Sequence, residues 1–150
     1  MKVAIGADHR GFFLKQKIMA HFKNVEFTDM GTDSDERADY PDFAKPVGEK
    51  VSRGLCERGI LICSTGIGMS ISANKVPGVR AAVIGDPQIA KLSREHNDSN
   101  VLCLAADFLK ENQAFDIIKT WLDTSFEGGR HEKRLEKILK QEQDCLRKQK

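Results

Sequence analysis

The sequence lacks the cysteine patterns that mark metal sites and redox centres. Its four cysteines, among 150 residues, form no Cys-x-x-Cys pair and do not stand at the spacing of Cys/His zinc ligands. These absences exclude a zinc module and thioredoxin-like chemistry, and reduced thiols are expected.

The sequence also lacks an excess of charge of one sign and any long hydrophobic run. Lys and Arg number 24 against 22 Asp and Glu, a net charge of +2, which is too balanced to predict a nucleic-acid surface. No apolar run reaches the length of a membrane span, and the first residues turn polar too soon for a signal peptide. We therefore expect a cytoplasmic protein with no nucleic-acid or membrane partner. Its length suits one domain over residues 1–150.

What the sequence does contain is a regular alternation of apolar runs and amphipathic stretches. The apolar runs predict five strands, at residues 2–6, 25–28, 60–63, 79–84 and 101–105. The amphipathic stretches predict helices at residues 12–22, 43–51, from Met69 to about 75, 87–96, 112–122, and from the Gly-Gly pair at 128–129 to 150. This alternation predicts an α/β fold, a doubly wound parallel sheet with helices on both faces.

Ligands of such sheets bind at the carboxyl ends of the strands. We expect one edge of the sheet to carry Asp8 and His9, the segment from Cys63 to Gly68, and the loop that holds either His96–Asn97 or Asp107.

The segment after the third strand carries the strongest chemical signal. Thr65, Gly66 and Gly68 leave backbone N–H groups uncovered, and the positive end of the following helix adds to a cradle for an anion. The same field favours a thiolate, so Cys63 is a candidate base or nucleophile. The alternative is a buried structural cysteine above a glycine turn that packs a helix.

The histidines at polar element ends are further candidates. His9 beside Asp8 fits a helix-entry cap as well as a functional pair, and His96 fits a histidine stabilised by the end of its helix. His131 lies at a third such end, whereas His21 lies inside a helix and is interpreted as structural or surface-exposed.

Arg130 and Arg134 stand four residues apart beside two glycines. A solvated basic face explains this spacing, and a phosphate clamp is the sharper alternative, because arginine forks match phosphate oxygens. A thiolate, an anion cradle, a histidine and an arginine pair together suit proton transfer on a sugar phosphate. Nothing in that list requires a metal or another cofactor.

Several separated motifs resemble the ribose-5-phosphate isomerase type B family, which is related to galactose-6-phosphate isomerase. They are Gly-Ala-Asp-His-Arg-Gly near the start, residues 39–42, 62–68, 73–75 and 93–98, and Gly-Gly-Arg-His at 128–131, in register from Met1 to about Glu142. The resemblance implies a Rossmann-like three-layer sandwich with a five-stranded parallel sheet and an extended C-terminal helix. It also implies a homodimer, or a tetramer, whose active site is shared between subunits.

The resemblance further implies roles for individual residues in the isomerisation of ribose 5-phosphate and ribulose 5-phosphate. Cys63 would be the base, and His96 would open the sugar ring, with Asp8 and Thr65 near the ring oxygen and hydroxyls. The enediolate would be held by Asn97 and by the backbone of Ser64, Gly66 and Gly68, and the phosphate by His9, Arg130 and Arg134. One branch of the family uses a glutamate as base at the position of Met69, which leaves Cys63 as the candidate here.

Two positions depart from the family pattern. Ser64 stands where relatives usually have glycine, and Asp107 stands where many carry a phosphate-binding arginine. A carboxylate near a dianion should weaken its binding unless Lys110 reaches in or Asp107 turns away. An isomerase of galactose or allose 6-phosphate and an inactive sugar-phosphate-binding module are therefore the alternatives. A cysteine phosphatase is set aside because no arginine closes the loop after Cys63.

Overall fold

The structure, a computed structural model, describes residues 1–148. Strands and helices alternate in the order β1 (Lys2–Ala7), α1 (Phe12–His21), β2 (Glu26–Asp29), α2 (Pro41–Ser52), β3 (Arg58–Cys63), α3 (Ile67–Ala73), β4 (Ala81–Val83), α4 (Pro87–Asn97), β5 (Val101–Ala105), α5 (Glu111–Asp123) and α6 (Arg130–Arg147). The strands form one parallel sheet in the order β2-β1-β3-β5-β4. The predicted α/β architecture and its extended C-terminal helix are confirmed.

Apolar side chains cover both faces of the sheet. On one face, Ile5, Ile62 and their neighbours pack with α1, α4 and α5. On the other face, Leu61 and Cys63 pack with α2 and α3. A strand buried on both faces must be apolar at successive positions, which explains the unbroken run that ends at Cys63. None of the described helices is long and apolar enough to cross a membrane.

Several element boundaries differ from the predicted ones. α2 begins at Pro41, two residues early, since proline suits the first turn of a helix. α3 begins directly after the glycine loop and ends at Ala73. β4 keeps only three residues, because Val79 and Ile84 are buried but lie outside its ladder. α6 ends at Arg147, and the final two residues of its predicted span, 149–150, lie outside the described residues.

A buried lysine holds the long loop after β2 against α1. Lys15 is fully buried, and its Nζ donates to Asp29 Oδ1 at 2.5 Å and to the Thr32 carbonyl at 2.7 Å. This contact fixes the start of the loop that leads to Tyr40 and α2 at the carboxyl edge of the sheet.

Candidate active site

Cys63 ends β3, and its side chain is almost fully buried at the start of the glycine loop. The backbone N–H of Gly66 donates to its sulfur, with the nitrogen 3.1 Å from Sγ. Such a contact stabilises negative charge on sulfur. By contrast, burial and the neighbouring Cys63 raise the pKa of Cys103 far above its ordinary value. Cys103 therefore stays a thiol, and Cys63, the predicted base, is the cysteine that the glycine loop contacts.

Two glycines give this loop its shape. Gly66 has φ +74°, a left-handed conformation that turns the chain from β3 into α3 and aims its own N–H at the sulfur. Gly68 lies directly beneath the ring of Tyr40, since a Cβ atom there would be only 2.6 Å from Cζ. The phenol ring therefore covers the first turn of α3, and only glycine allows that close approach.

The first turn of α3 provides the anion cradle that the sequence predicts. Thr65 Oγ1 accepts the N–H of Ile67 at 3.3 Å. Among the described residues, no acceptor is recorded for the N–H groups of Gly68 and Met69. Two donors at the positive end of a helix thus remain for a ligand beside the Cys63 sulfur.

Asp8 and His9 leave β1 next to this loop. Asp8 is buried, and its Oδ1 accepts the N–H groups of Arg10 at 2.9 Å and Gly11 at 3.2 Å. These two contacts cap the turn into α1, as the helix-entry cap interpretation predicts. Oδ2 of Asp8 has no recorded partner among the described residues. His9 Nδ1 lies 3.2 Å from the Ala38 carbonyl and so holds the loop after β2.

Asp107 and Ser64, the two departures from the family pattern, belong to one polar cluster. The Arg10 guanidinium donates to Asp107 through Nε at 3.1 Å and Nη2 at 2.8 Å. Hydrogen bonding from Ser64 and then from Arg10 lowers the pKa of Asp107. The Asp107 N–H also donates to the Ser64 carbonyl at 3.2 Å. The carboxylate at position 107 is therefore neutralised by Arg10, and Ser64 contacts it.

Of the two alternatives predicted for the third loop, Asp107 lies at this edge, and His96 and Asn97 do not. They end α4, which runs antiparallel to the strands, and three residues later the chain enters the amino end of β5. The carbonyl of Asn100 accepts the N–H of Gly59 near the start of β3. The length of β5, about 16 Å, therefore separates His96 from Cys63 within one chain.

At the amino edge, His96 instead meets the residues that follow α5. The rings of His96 and His131 are stacked, with centroids 4.2 Å apart, and both Nε2 atoms lie 3.9 Å from Glu127 Oε2. Burial, then the nearby His96 and Arg130, lower the pKa of His131. Arg130 Nε donates to His131 Nε2 at 3.3 Å, and Arg134 is close enough to contribute to the same shift. This edge thus gathers His96 and the predicted phosphate-binding arginines.

The same group is where the described residues could hold a metal ion. Ligand atoms of His96, Glu127 and His131 lie within 4.8 Å of one another. However, Arg130 already donates to His131 Nε2, and a guanidinium beside a cation is unfavourable. The Arg130 contact therefore argues against a metal ion at this group.

Sequence reasoning missed Arg10, Tyr40 and Glu127 as site residues. Arg10 and Tyr40 lie within motifs that the resemblance uses, and Tyr40 is the only tyrosine of the chain. Their roles depend on contacts across 97 and 28 positions of sequence, which local patterns do not reveal. Glu127 carries no sequence signal.

The fold and this loop together define a class of protein, the doubly wound α/β proteins. In this class the ligand crevice lies where the strand order reverses, which here is between the carboxyl ends of β1 and β3. Comparison with known proteins narrows the class to one family. The family described as Ribose/Galactose Isomerase matches residues 3–138, and the chain belongs to it.

Individual relatives cover nearly the whole chain. Ribose-5-phosphate isomerase B of Escherichia coli (strain K12) is 48% identical over 144 residues, 95% of this chain and 97% of that protein. The solved structure of ribose-5-phosphate isomerase B from Clostridium thermocellum has a TM-score of 0.95 at 48% identity, covering 97% of this chain and 99% of the other. The Mycoplasma genitalium enzyme with bound ribulose-5-phosphate has a TM-score of 0.91 at 40% identity, covering 95% and 96%.

Proposed function

We propose that this protein interconverts ribose 5-phosphate and ribulose 5-phosphate through an enediolate. The observation that carries the proposal is the Cys63 sulfur, held by the Gly66 N–H beside the open donors of α3. Isomerisation needs a base next to the carbon that loses a proton and donors for the oxygens that gain charge. The Cys63 loop supplies both in one turn.

In this mechanism Cys63 moves one proton between neighbouring carbons. The thiolate takes the proton from C2 of the open-chain aldose, and the C2–H electron pair forms the C1–C2 double bond of the enediolate. The same thiol then returns the proton to C1, while the O2 proton passes to O1, so the product is an isomer with no redox partner. The open N–H group of Gly68 and the backbone of Ser64 stabilise the enediolate oxygens, while the Gly66 N–H holds the Cys63 sulfur.

Ring opening requires a second copy of the chain. His96 has the ring nitrogens to move a proton between the sugar hydroxyl and the ring oxygen, but it lies at the opposite edge from Cys63. We assign each active site to Asp8, His9, Cys63 and Thr65 of one protomer together with four residues of its partner. The partner's contribution consists of His96, Asn97 and the phosphate-binding Arg130 and Arg134.

Exposed apolar side chains support an association of this kind. Around the edge strand β4, α3 exposes Ile67 (55%) and Ile71 (58%), and α4 exposes Ile89 (52%). Val83 of β4 lies near Gly66, so this surface adjoins the Cys63 loop. On α6, Leu139 is half exposed. A homodimer that buries these side chains brings the two edges together, and a tetramer is the next assembly to test.

Location in the cytoplasm completes the proposal. Its support is the set of four free cysteines, three of them buried, which suits a reducing compartment.

The test is steady-state kinetics of the purified protein on ribose 5-phosphate, with chelator present. We expect turnover of the pentose, and loss of at least a thousandfold in kcat for Cys63→Ala with an unchanged circular dichroism spectrum. Cys103→Ala is the matched control, since that buried thiol lies outside the loop. A Cys63→Ala protein that retains most of its turnover would refute the assignment of the base.

A hexose 6-phosphate isomerase is the second candidate. The family description names galactose as well as ribose, and the Arg10–Asp107 pair changes the site beside Cys63. Galactose 6-phosphate and allose 6-phosphate belong in the same assay. A higher kcat/KM for either hexose would replace the pentose in this proposal.

A further inference from the structure

The ion pair between Arg10 and Asp107 joins two loops across the end of β3. Arg10 follows β1, and Asp107 follows β5. In the sheet β3 lies between these two strands, so the pair spans the strand that ends at Cys63. The contact is bidentate, and the backbone N–H of Asp107 donates to the carbonyl of Ser64, the residue after Cys63, at 3.2 Å.

The pair leaves half of the guanidinium available. Arg10 has five N–H donors. The Asp107 carboxylate accepts two of them, the N–H of Nε and one N–H of Nη2. Among the described residues no acceptor is recorded for the remaining donors, on Nη1 and Nη2. The Arg10 side chain is 55% exposed, against 29% for Asp107. The carboxylate thus fixes one edge of the fork while the other edge faces solvent near the Cys63 loop.

We propose that Arg10 binds the phosphate group of the substrate and that Asp107 is the positioning residue that aims it. A planar fork held at one edge by a carboxylate offers two parallel N–H groups at the other, the geometry that phosphate oxygens accept. The inference rests on the proposed function for the identity of the sugar, but the anion contact itself does not depend on turnover.

The experiment measures inorganic phosphate binding by NMR titration, together with KM and kcat for ribose 5-phosphate. Arg10→Met should weaken phosphate binding and raise KM about tenfold, while kcat stays within about twofold. Arg10→Lys should restore only part of the affinity, because it keeps the charge without the fork. Asp107→Asn should weaken phosphate binding severalfold, and adding it to Arg10→Met should cost nothing more, since Asp107 acts through Arg10.

Lys17→Met is the matched control. Lys17 pairs with Glu111 at 2.6 Å, so it joins α1 to the first residue of α5, further along the chain than Arg10 and Asp107. This control should bind phosphate as the parent protein does. Phosphate affinity that stays within twofold in Arg10→Met, or that rises in Asp107→Asn, would overturn the proposal. A parent protein that binds phosphate through Arg10 but does not turn over ribose 5-phosphate would refute the proposed function alone.

Discussion

Two inactive variants should restore activity when they are combined, if each active site takes residues from two protomers. In Cys63→Ala the carboxyl-edge half of the site is lost, whereas in His96→Gln the amino-edge half is lost. Within one chain these halves lie about 16 Å apart, the length of β5, which is far beyond proton-transfer reach. Each variant alone should therefore be inactive, since every site contains one defective half.

The size of the recovery follows from two-fold symmetry. Equal amounts of the two variants, paired at random, give heterodimers for about half of all dimers. In a heterodimer one site combines both defects, and the other combines the intact Cys63 of one protomer with the intact His96 of its partner. Because half of the dimers are heterodimers and each heterodimer has one intact site out of two, we expect about a quarter of the parental activity.

The assay is turnover of ribose 5-phosphate after the variants are unfolded in urea and refolded together. The matched control combines Cys63→Ala with Asp8→Asn, because both residues belong to the same edge of the same protomer. That mixture should recover nothing. Recovery in the control, or none in the test mixture despite heterodimers seen by mass spectrometry, would refute the shared site.

Three further predictions concern stability and titration. Lys15→Met should lower the free energy of unfolding in urea by about 2–3 kcal/mol, since it leaves Asp29 and a buried carbonyl without their partner. The exposed Lys17→Met control should lose under about 1 kcal/mol, and equal losses would contradict this account. Gly66→Ala should cost about 1–2 kcal/mol because φ is +74°; an unchanged urea midpoint would contradict it. The His131 ring should titrate below its ordinary pKa of 6.5 in an NMR titration, and a midpoint at or above 6.5 would contradict the burial argument. Since the folded protein resists this protonation, its stability should fall as the pH drops below 6.5, and His131→Gln should reduce that slope.

The sequence allowed the strands, most helices and the Cys63 loop to be predicted, because these depend on local patterns. An apolar run ended by small residues specifies a buried strand followed by a tight turn wherever it occurs. Element ends were less predictable: β4 lost half of its predicted span, since pairing with β5 limits its ladder to three residues. His96 lies at the amino edge because α4 runs antiparallel to the strands, a direction that local patterns do not reveal.

The sequence by itself determined the fold class, the family motifs and the candidate base, through periodicity and the order of short motifs. Only the tertiary structure decided which residues meet. It paired Arg10 with Asp107, placed Tyr40 over Gly68, and separated His96 from Cys63 by the length of a strand. The physical reason is that hydrophobic patterning is read along the chain, whereas charges and rings pair across space, where strand order and helix direction set the distances.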